Sequence, residues 1–233
     1  QRQMCIRDRR CITSIQKNST WSNYEIIVVE NNSTTPEIKD YYSQLLGLSG
    51  DDSYEERCKL HTVCGHDGGI LHSGDGRISI VTYQGDFNYS AVNDLGASYA
   101  SGEYILLLNN DTEVITANWM EEMLMYAQRE DVGAVGAKLY YADKTIQHAG
   151  VVIGLGAHRT AGHTHYRIPV QNLGYMGRLC YTQNVTAVTG ACLLVKKSLY
   201  EQVGGLDESF VISLNDVDFC LKLRKLGLLN VWT

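Results

Sequence analysis

Four stretches of the chain hold apolar residues in nearly unbroken runs: "YEIIVVENN" (24–32), "RISIVTYQG" (77–85), "EYILLLNND" (103–111) and "VGAVGAKLYY" (132–141). Runs of this length, rich in branched residues, predict strands buried on both faces. Between them the period changes to that of a helix. In "TTPEIKDYYSQLLGL", Ile38, Tyr41, Tyr42 and Leu45 share a face and Pro36 suits the first turn. In "NYSAVNDLGASYASG", Val92, Leu95, Gly96 and Tyr99 do the same, predicting a helix that ends near Gly102; "TANWMEEMLMYAQRE" places Trp119, Met123 and Tyr126 together. Alternation of strand and helix over 24–140 predicts an α/β fold with a largely parallel, Rossmann-like sheet flanked by helices. Residues 49–76, polar and rich in Gly and Asp, read as a loop or insertion.

The remainder is less regular and predicts a mixed half. "HAGVVIGLG" (148–156) and "AVTGACLLVKK" (187–197) read as strands. "SLYEQVGG" reads as a short helix with a capping box from Ser198 to Glu201, and "NDVDFCLKLRKLG" as a helix opening on acids and closing on bases before Gly227. Residues 1–10, "QRQMCIRDRR", show neither period and are expected to be a non-native leader. Residues 11–233 are then one domain, in two halves over about 11–140 and about 141–233.

Composition narrows the class. The chain has 233 residues, a net charge of −6 and 44% hydrophobic residues. That suits one globular α/β domain and argues against a nucleic-acid partner met through a broad basic face. Seven cysteines occur, several inside apolar runs, as Cys192 and Cys220 are. Buried reduced thiols in a cytoplasmic protein are the expectation. No apolar run approaches the roughly 18 residues of a membrane helix.

Candidate chemistry gathers where strands end. In parallel sheets ligands bind at the C-terminal strand ends. Two ends are polar in the same way: Glu30-Asn31-Asn32 and Asn109-Asn110-Asp111. Oxygen ligands of this kind suit Mg²⁺ or Mn²⁺. Taken alone, "NNDT" is a turn sequence and Asp216 a helix-start acid. Other patterns carry less. "VVIGLGAHRTAG" has Arg159 where a dinucleotide fingerprint needs its third glycine. Cys58, His61, Cys64, His66 and His72 fit no common zinc spacing. His148, His158, His163 and His165 have the residue types of a metal cage.

The blocks "YEIIVVENNST", "FNYSAVNDLGASYASGEYILLLNNDTEV", "AVTGACLLVKKSLYEQVGGLDESF" and "NDVDFCLKLRKLG" together resemble family 2 glycosyltransferases of the GT-A fold, those of bacterial O-antigen and rhamnan synthesis above all. The resemblance covers roughly residues 11–233. It implies an inverting transferase that moves a sugar from a nucleoside-diphosphate sugar to a hydroxyl of a growing surface glycan or lipid-linked acceptor. It implies one divalent cation, Mn²⁺ or Mg²⁺, held by Asp111 with Asn109, which stands in place of the family's first acid. Glu30, with Asn32, Asn88, Asn93 and Asn110, is implied for the donor nucleotide. Asp216 matches the catalytic base. Gly190, Asn215 (in place of a glutamate), Asp218, His163 and His165 are implied for the acceptor or diphosphate side. A first strand before Cys11 and a metal- or diphosphate-holding histidine after Thr233 are expected beyond this chain, as are further transferase domains and peripheral association with the inner membrane face. The competing readings are a nucleotidyltransferase, whose Gly-rich basic loop is not found, and a catalytically dead nucleotide-sugar-binding module, suggested by Asn109 and Asn215.

Overall fold

The computed structural model describes residues 2–50, 52–59, 65–155 and 159–233. They form two compact units. One is the chain up to Gly102 together with Asn110–Ala117; the other is Glu103–Asn109 together with Asn118–Thr233.

The first unit runs α1 (Arg2–Asn18), β1 (Ile26–Asn31), α2 (Pro36–Leu46), α3 (Tyr54–Cys58), β2 (Asp67–His72), β3 (Ile78–Tyr83) and α4 (Tyr89–Tyr99). Its sheet has the order β1-β3-β2, with β1 and β3 parallel and β2 antiparallel to β3. The two parallel strands are the ones their apolar runs predict. Ile38, Tyr41, Tyr42 and Leu46 of α2 join Ile80, Leu71, Tyr54 and Ile12 in one buried cluster. On the other side α4 meets β1 so closely that a Cβ on Gly96 would lie 2.7 Å from Val29 Cγ2, which is why the helix carries glycine there.

Two expectations for this unit are corrected. Residues 2–18 are helical although their sequence looks aperiodic. The buried positions of α1 are Asp8, Cys11, Ile12 and Ile15, so a polar residue interrupts the apolar stripe and hides its period. The span 49–76 is not only loop: it contains α3, capped by Ser53, and β2. Gly68 and Gly69 dilute the strand signal of β2, and its pairing with β3 supplies what local propensity lacks.

The second unit runs β4 (Tyr104–Leu108), α5 (Trp119–Ala127), β5 (Val132–Gly136), β6 (Leu139–Tyr140), β7 (Ile146–His148), β8 (Val151–Ile153), β9 (Ala161–His163), β10 (Gln183–Val185), β11 (Cys192–Lys196), α6 (Lys197–Gln202), α7 (Asn215–Lys225) and β12 (Leu229–Trp232). Its five-stranded sheet has the order β10-β12-β5-β11-β4. β11 runs antiparallel to both β4 and β5, and β12 runs parallel to β5. The sheet is therefore mixed, and β4 and β5 are not direct neighbours as a simple strand–helix–strand reading would have them. β4 and β5 both hydrogen-bond to β11, so they fold with the C-terminal strands. Met123, Val132, Val135, Cys192, Leu194 and Val231 fill one face.

The predicted capping box of α6 does not form. The helix begins one residue early, directly from β11, so Ser198 lies inside the first turn and Lys196 takes the cap position without a side-chain bond. Cys192 and Cys220 are buried, and neither joins a disulfide among the described residues. Among the described residues no helix is long and apolar enough to cross a membrane.

Candidate active site

In the first unit the polar end of β1 is tied down by its own side chains. Glu30 is buried and its carboxylate accepts the Ser33 peptide N–H. Asn31 donates to the carbonyls of Tyr83 (3.2 Å) and Gly85 (2.9 Å). Asn32 adopts a left-handed φ of 56°, a conformation asparagine tolerates, and also donates to Gly85 O (2.6 Å). The strand end is thus a fixed turn with a carboxylate inside it. Asn88 and Asn93 are committed to α4: Asn88 caps it by accepting from Ser90 and Ala91, and Asn93 donates to Tyr89 O.

The segment after β4 lies against α1. Asn110 donates to the buried Asp8 carboxylate at 2.7 Å. Burial raises the Asp8 pKa, and the Asn110 bond opposes the shift. Asp111 is half-exposed, with Arg7 at 3.8 Å. Asn109 belongs to the second unit, where its N–H donates to Ala191 O at 3.0 Å. No three Cys, His, Asp or Glu side chains come together as a metal site among the described residues. Asp111 nonetheless suits a hard cation that keeps most of its waters and takes its remaining ligands from substrate phosphates, since such an ion needs only one or two carboxylates. The Cys58 to His72 cluster shows no zinc geometry in its described part: His66 and His72 bond Gln84 O and Ser79 Oγ, and His61 and Cys64 lie outside the described residues. His158 lies outside them too.

In the second unit α7 presents the sequence-predicted acids. Leu214, just before the helix, has a left-handed φ of 68°, unusual for a branched residue and the kind of strain that gathers at working sites. Asp216 accepts two peptide N–H groups, Gly190 on Oδ2 (2.9 Å) and Val217 on Oδ1 (2.8 Å). No lysine or arginine pairs with it among the described residues. Asp218 differs: Lys222 holds it one turn on at 3.0 Å. Asn215 is buried; its Oδ1 accepts the Asp216 N–H, while its Nδ2 has no partner among the described residues. A buried donor without a partner beside a carboxylate is a place where a ligand or water completes the bonding.

Two histidines stand near this acid. His163 is lowered in pKa by burial, and the Asp216 charge opposes that shift. Its Nδ1 lies 3.0 Å from Nδ1 of His148, which is fully buried and pushed down to about 3 by desolvation. His148 Nε2 in turn accepts the Thr189 N–H at 3.4 Å. Burial pushes the Cys220 thiol up to about 12, and the charge of the same acid adds to it. His165 is placed elsewhere, in a cleft of about 360 Å³ lined also by Thr164, Arg178, Gln183 and Arg224. The sequence therefore points to Asp216 and His163 but misses His148 and Thr189. His148 stood out in the sequence only as one of four histidines in this half.

The sequence profile of glycosyl transferase family 2 matches residues 69–204. The chain is similar to protein y4gI of Sinorhizobium fredii, 40% identical over 226 residues that make up 97% of this chain and 22% of that protein. It is similar to the O-antigen biosynthesis protein RfbC of Myxococcus xanthus, at 34% identity over 97% of this chain and 15% of that protein. The chain thus spans about a fifth or less of these relatives' length. In structure it is similar to GalNAc-T7, crystallised with UDP, GalNAc and Mn²⁺: the TM-score is 0.63 and the identity 13%, over 96% of this chain and 39% of that one. The likeness is one of fold, that of the GT-A glycosyltransferases.

Proposed function

The chain belongs to glycosyl transferase family 2, and from that premise we propose that it transfers a sugar, with inversion, from a nucleoside-diphosphate sugar to a hydroxyl of a surface-glycan or lipid-linked acceptor. The observation that carries this reading is Asp216. It is a carboxylate at the first turn of a helix, oriented by two peptide N–H groups and with no lysine or arginine paired to it among the described residues. Its neighbour Asp218 is spent on Lys222.

In the proposed step Asp216 takes the proton of the acceptor hydroxyl. The hydroxyl oxygen forms a bond to the anomeric carbon as the bond from that carbon to the diphosphate oxygen breaks. The electron pair leaves with the diphosphate. One base with no second nucleophile gives a single displacement and hence inversion. Glu30 and Asn32, fixed at the end of β1, are the groups we assign to the nucleotide. Asp111, with Asn109, would hold a Mn²⁺ or Mg²⁺ ion, which supplies Lewis-acid stabilisation of the leaving diphosphate when bound. Asn215 Nδ2, buried and unsatisfied, is the donor available to a substrate oxygen beside the base.

The test is a panel of UDP-, GDP- and dTDP-sugars offered with p-nitrophenyl glycosides as acceptors, scored for nucleoside diphosphate release and for the product's anomeric configuration by NMR. Acceptor-dependent release with an inverted product is expected. Release of sugar-1-phosphate from the same donors instead would indicate nucleotidyl transfer. Donor binding without release under any pairing would make the chain a binding module.

A further inference from the structure

The contact between His148 and His163 fixes where each ring carries its proton. His148 Nε2 faces the Thr189 peptide nitrogen at 3.4 Å. A peptide N–H can only donate, so this ring nitrogen carries a lone pair. A neutral imidazole has one proton, which must then sit on His148 Nδ1. That nitrogen lies 3.0 Å from His163 Nδ1, with the rings edge-on at 88°. His148 therefore donates, His163 Nδ1 accepts, and the only proton of His163 is left on Nε2. A doubly protonated His148 would set an N–H against the Thr189 N–H, and its complete burial disfavours the cation as well.

Among the described residues the ionisable groups that face His163 are His148 from β7, Tyr166 three residues beyond β9 with its ring centroid at 6.4 Å, and Asp216 from α7. The backbone that seats this arrangement is continuous. Thr189 donates to His148 and the next residue, Gly190, donates to Asp216. One dipeptide thus registers a buried imidazole and a carboxylate against each other.

We infer that His148 is a positioning residue that holds His163 as its neutral Nε2–H tautomer, and that His163 thereby donates one hydrogen bond to a hydroxyl of the acceptor sugar beside Asp216. The assignment to the acceptor rests on reading Asp216 as the base. Asp216 offers only acceptor atoms and His163 Nε2–H only a donor. Adjacent hydroxyls of one sugar need one of each: the first gives its proton to the carboxylate and the second receives the imidazole bond. A cationic His163 would instead pair with Asp216 and occupy the atoms that must take the proton. Keeping His163 neutral avoids that.

The experiment has two arms on the full chain. Long-range ¹⁵N–¹H spectra of the unliganded protein read each tautomer directly. The expected pattern is a protonated Nε2 for His163 and a protonated Nδ1 for His148, unchanged between about pH 8 and about pH 6, around the ordinary histidine pKa. A protonated His163 Nδ1, or a mixture of tautomers, overturns the inference. The second arm measures kcat and KM for the glycoside acceptor selected from the panel. His148→Leu keeps bulk and removes both bonds; acceptor KM should rise roughly 3–10-fold, the size of one neutral hydrogen bond, with donor KM unchanged. His148→Gln retains one acceptor and one donor atom and should recover most of that loss. A fall in kcat with acceptor KM unchanged, or a Gln variant no better than Leu, overturns the positioning role. If no donor–acceptor pair reacts at all, the Asp216 reading fails, while the spectra still decide the tautomer.

Discussion

Gly190 donates its peptide N–H to the Asp216 carboxylate at 2.9 Å, joining the loop before β11 to the first turn of α7. The bond holds the carboxylate by one oxygen without a countercharge, an arrangement suited to a base that must stay ionised and aimed.

Asp216→Asn keeps the shape and removes the proton acceptor. Transfer should fall by roughly 10²–10⁴, the usual worth of a positioned base, with donor affinity by calorimetry near that of the parent. Asp218→Asn breaks the ion pair with Lys222 and should lower transfer much less. The opposite order of the two effects would give the base role to Asp218.

Nucleoside diphosphate should bind more tightly with Mn²⁺ than with EDTA, and Asp111→Ala should remove the difference. Asp111 is half-exposed and its only ion-pair partner among the described residues, Arg7, is 3.8 Å away, so the substitution leaves no buried charge behind. Equal affinity with and without metal in the parent chain would take Asp111 out of the donor site.

Gly136→Ala tests the packing beneath the base. A Cβ at this position of β5 would stand 2.5 Å from Val188 Cβ, in a part of the core with no room to yield. We expect a loss of about 1–3 kcal/mol, the common cost of overpacking, read as a lower urea midpoint. Val188 directly precedes Thr189 and Gly190, so acceptor KM should rise as well. A variant as stable as the parent would show that Val188 moves freely.

Acid should unfold the protein through His148. Its folded pKa is depressed, from 6.5 to about 3. The unfolded chain then binds the extra proton first, so stability is full above about pH 6.5 and falls as pH drops toward about 3. Burial lowers the His163 pKa in the same sense. From about pH 7 to about pH 4 the His148 contribution is a loss of about 3 kcal/mol. His148→Gln should flatten this limb in urea melts taken at a series of pH values. An unchanged slope would assign the acid sensitivity to other groups.

The strands β1, β3 and β4 were legible because their apolar runs are continuous, and the helices α2, α4 and α7 because their stripes or charges follow the helical period. What escaped depends on partners far along the chain. The helix α1 hides its period behind Asp8, whose burial makes sense only once Asn110 donates to it. Strand β2 is weak alone and is stabilised by β3. The sheet order followed from no local signal, since β11 finds β4 across more than eighty residues. In the candidate site, Asp216 was readable as an acid opening a helix. His148 was not, because its role is set by Thr189, 41 residues away.

The order β10-β12-β5-β11-β4 also governs when this sheet can exist during synthesis. β4 and β5 leave the ribosome close together, yet each must hold an edge open for β11, whose last residue is Lys196, and β5 must hold its other edge for β12, which ends at Trp232. A nascent chain that paired β4 directly with β5 would close the slot that β11 must enter. The unfinished edges of β4 and β5 are therefore the surfaces a growing chain must keep apart until β11 and β12 have been made.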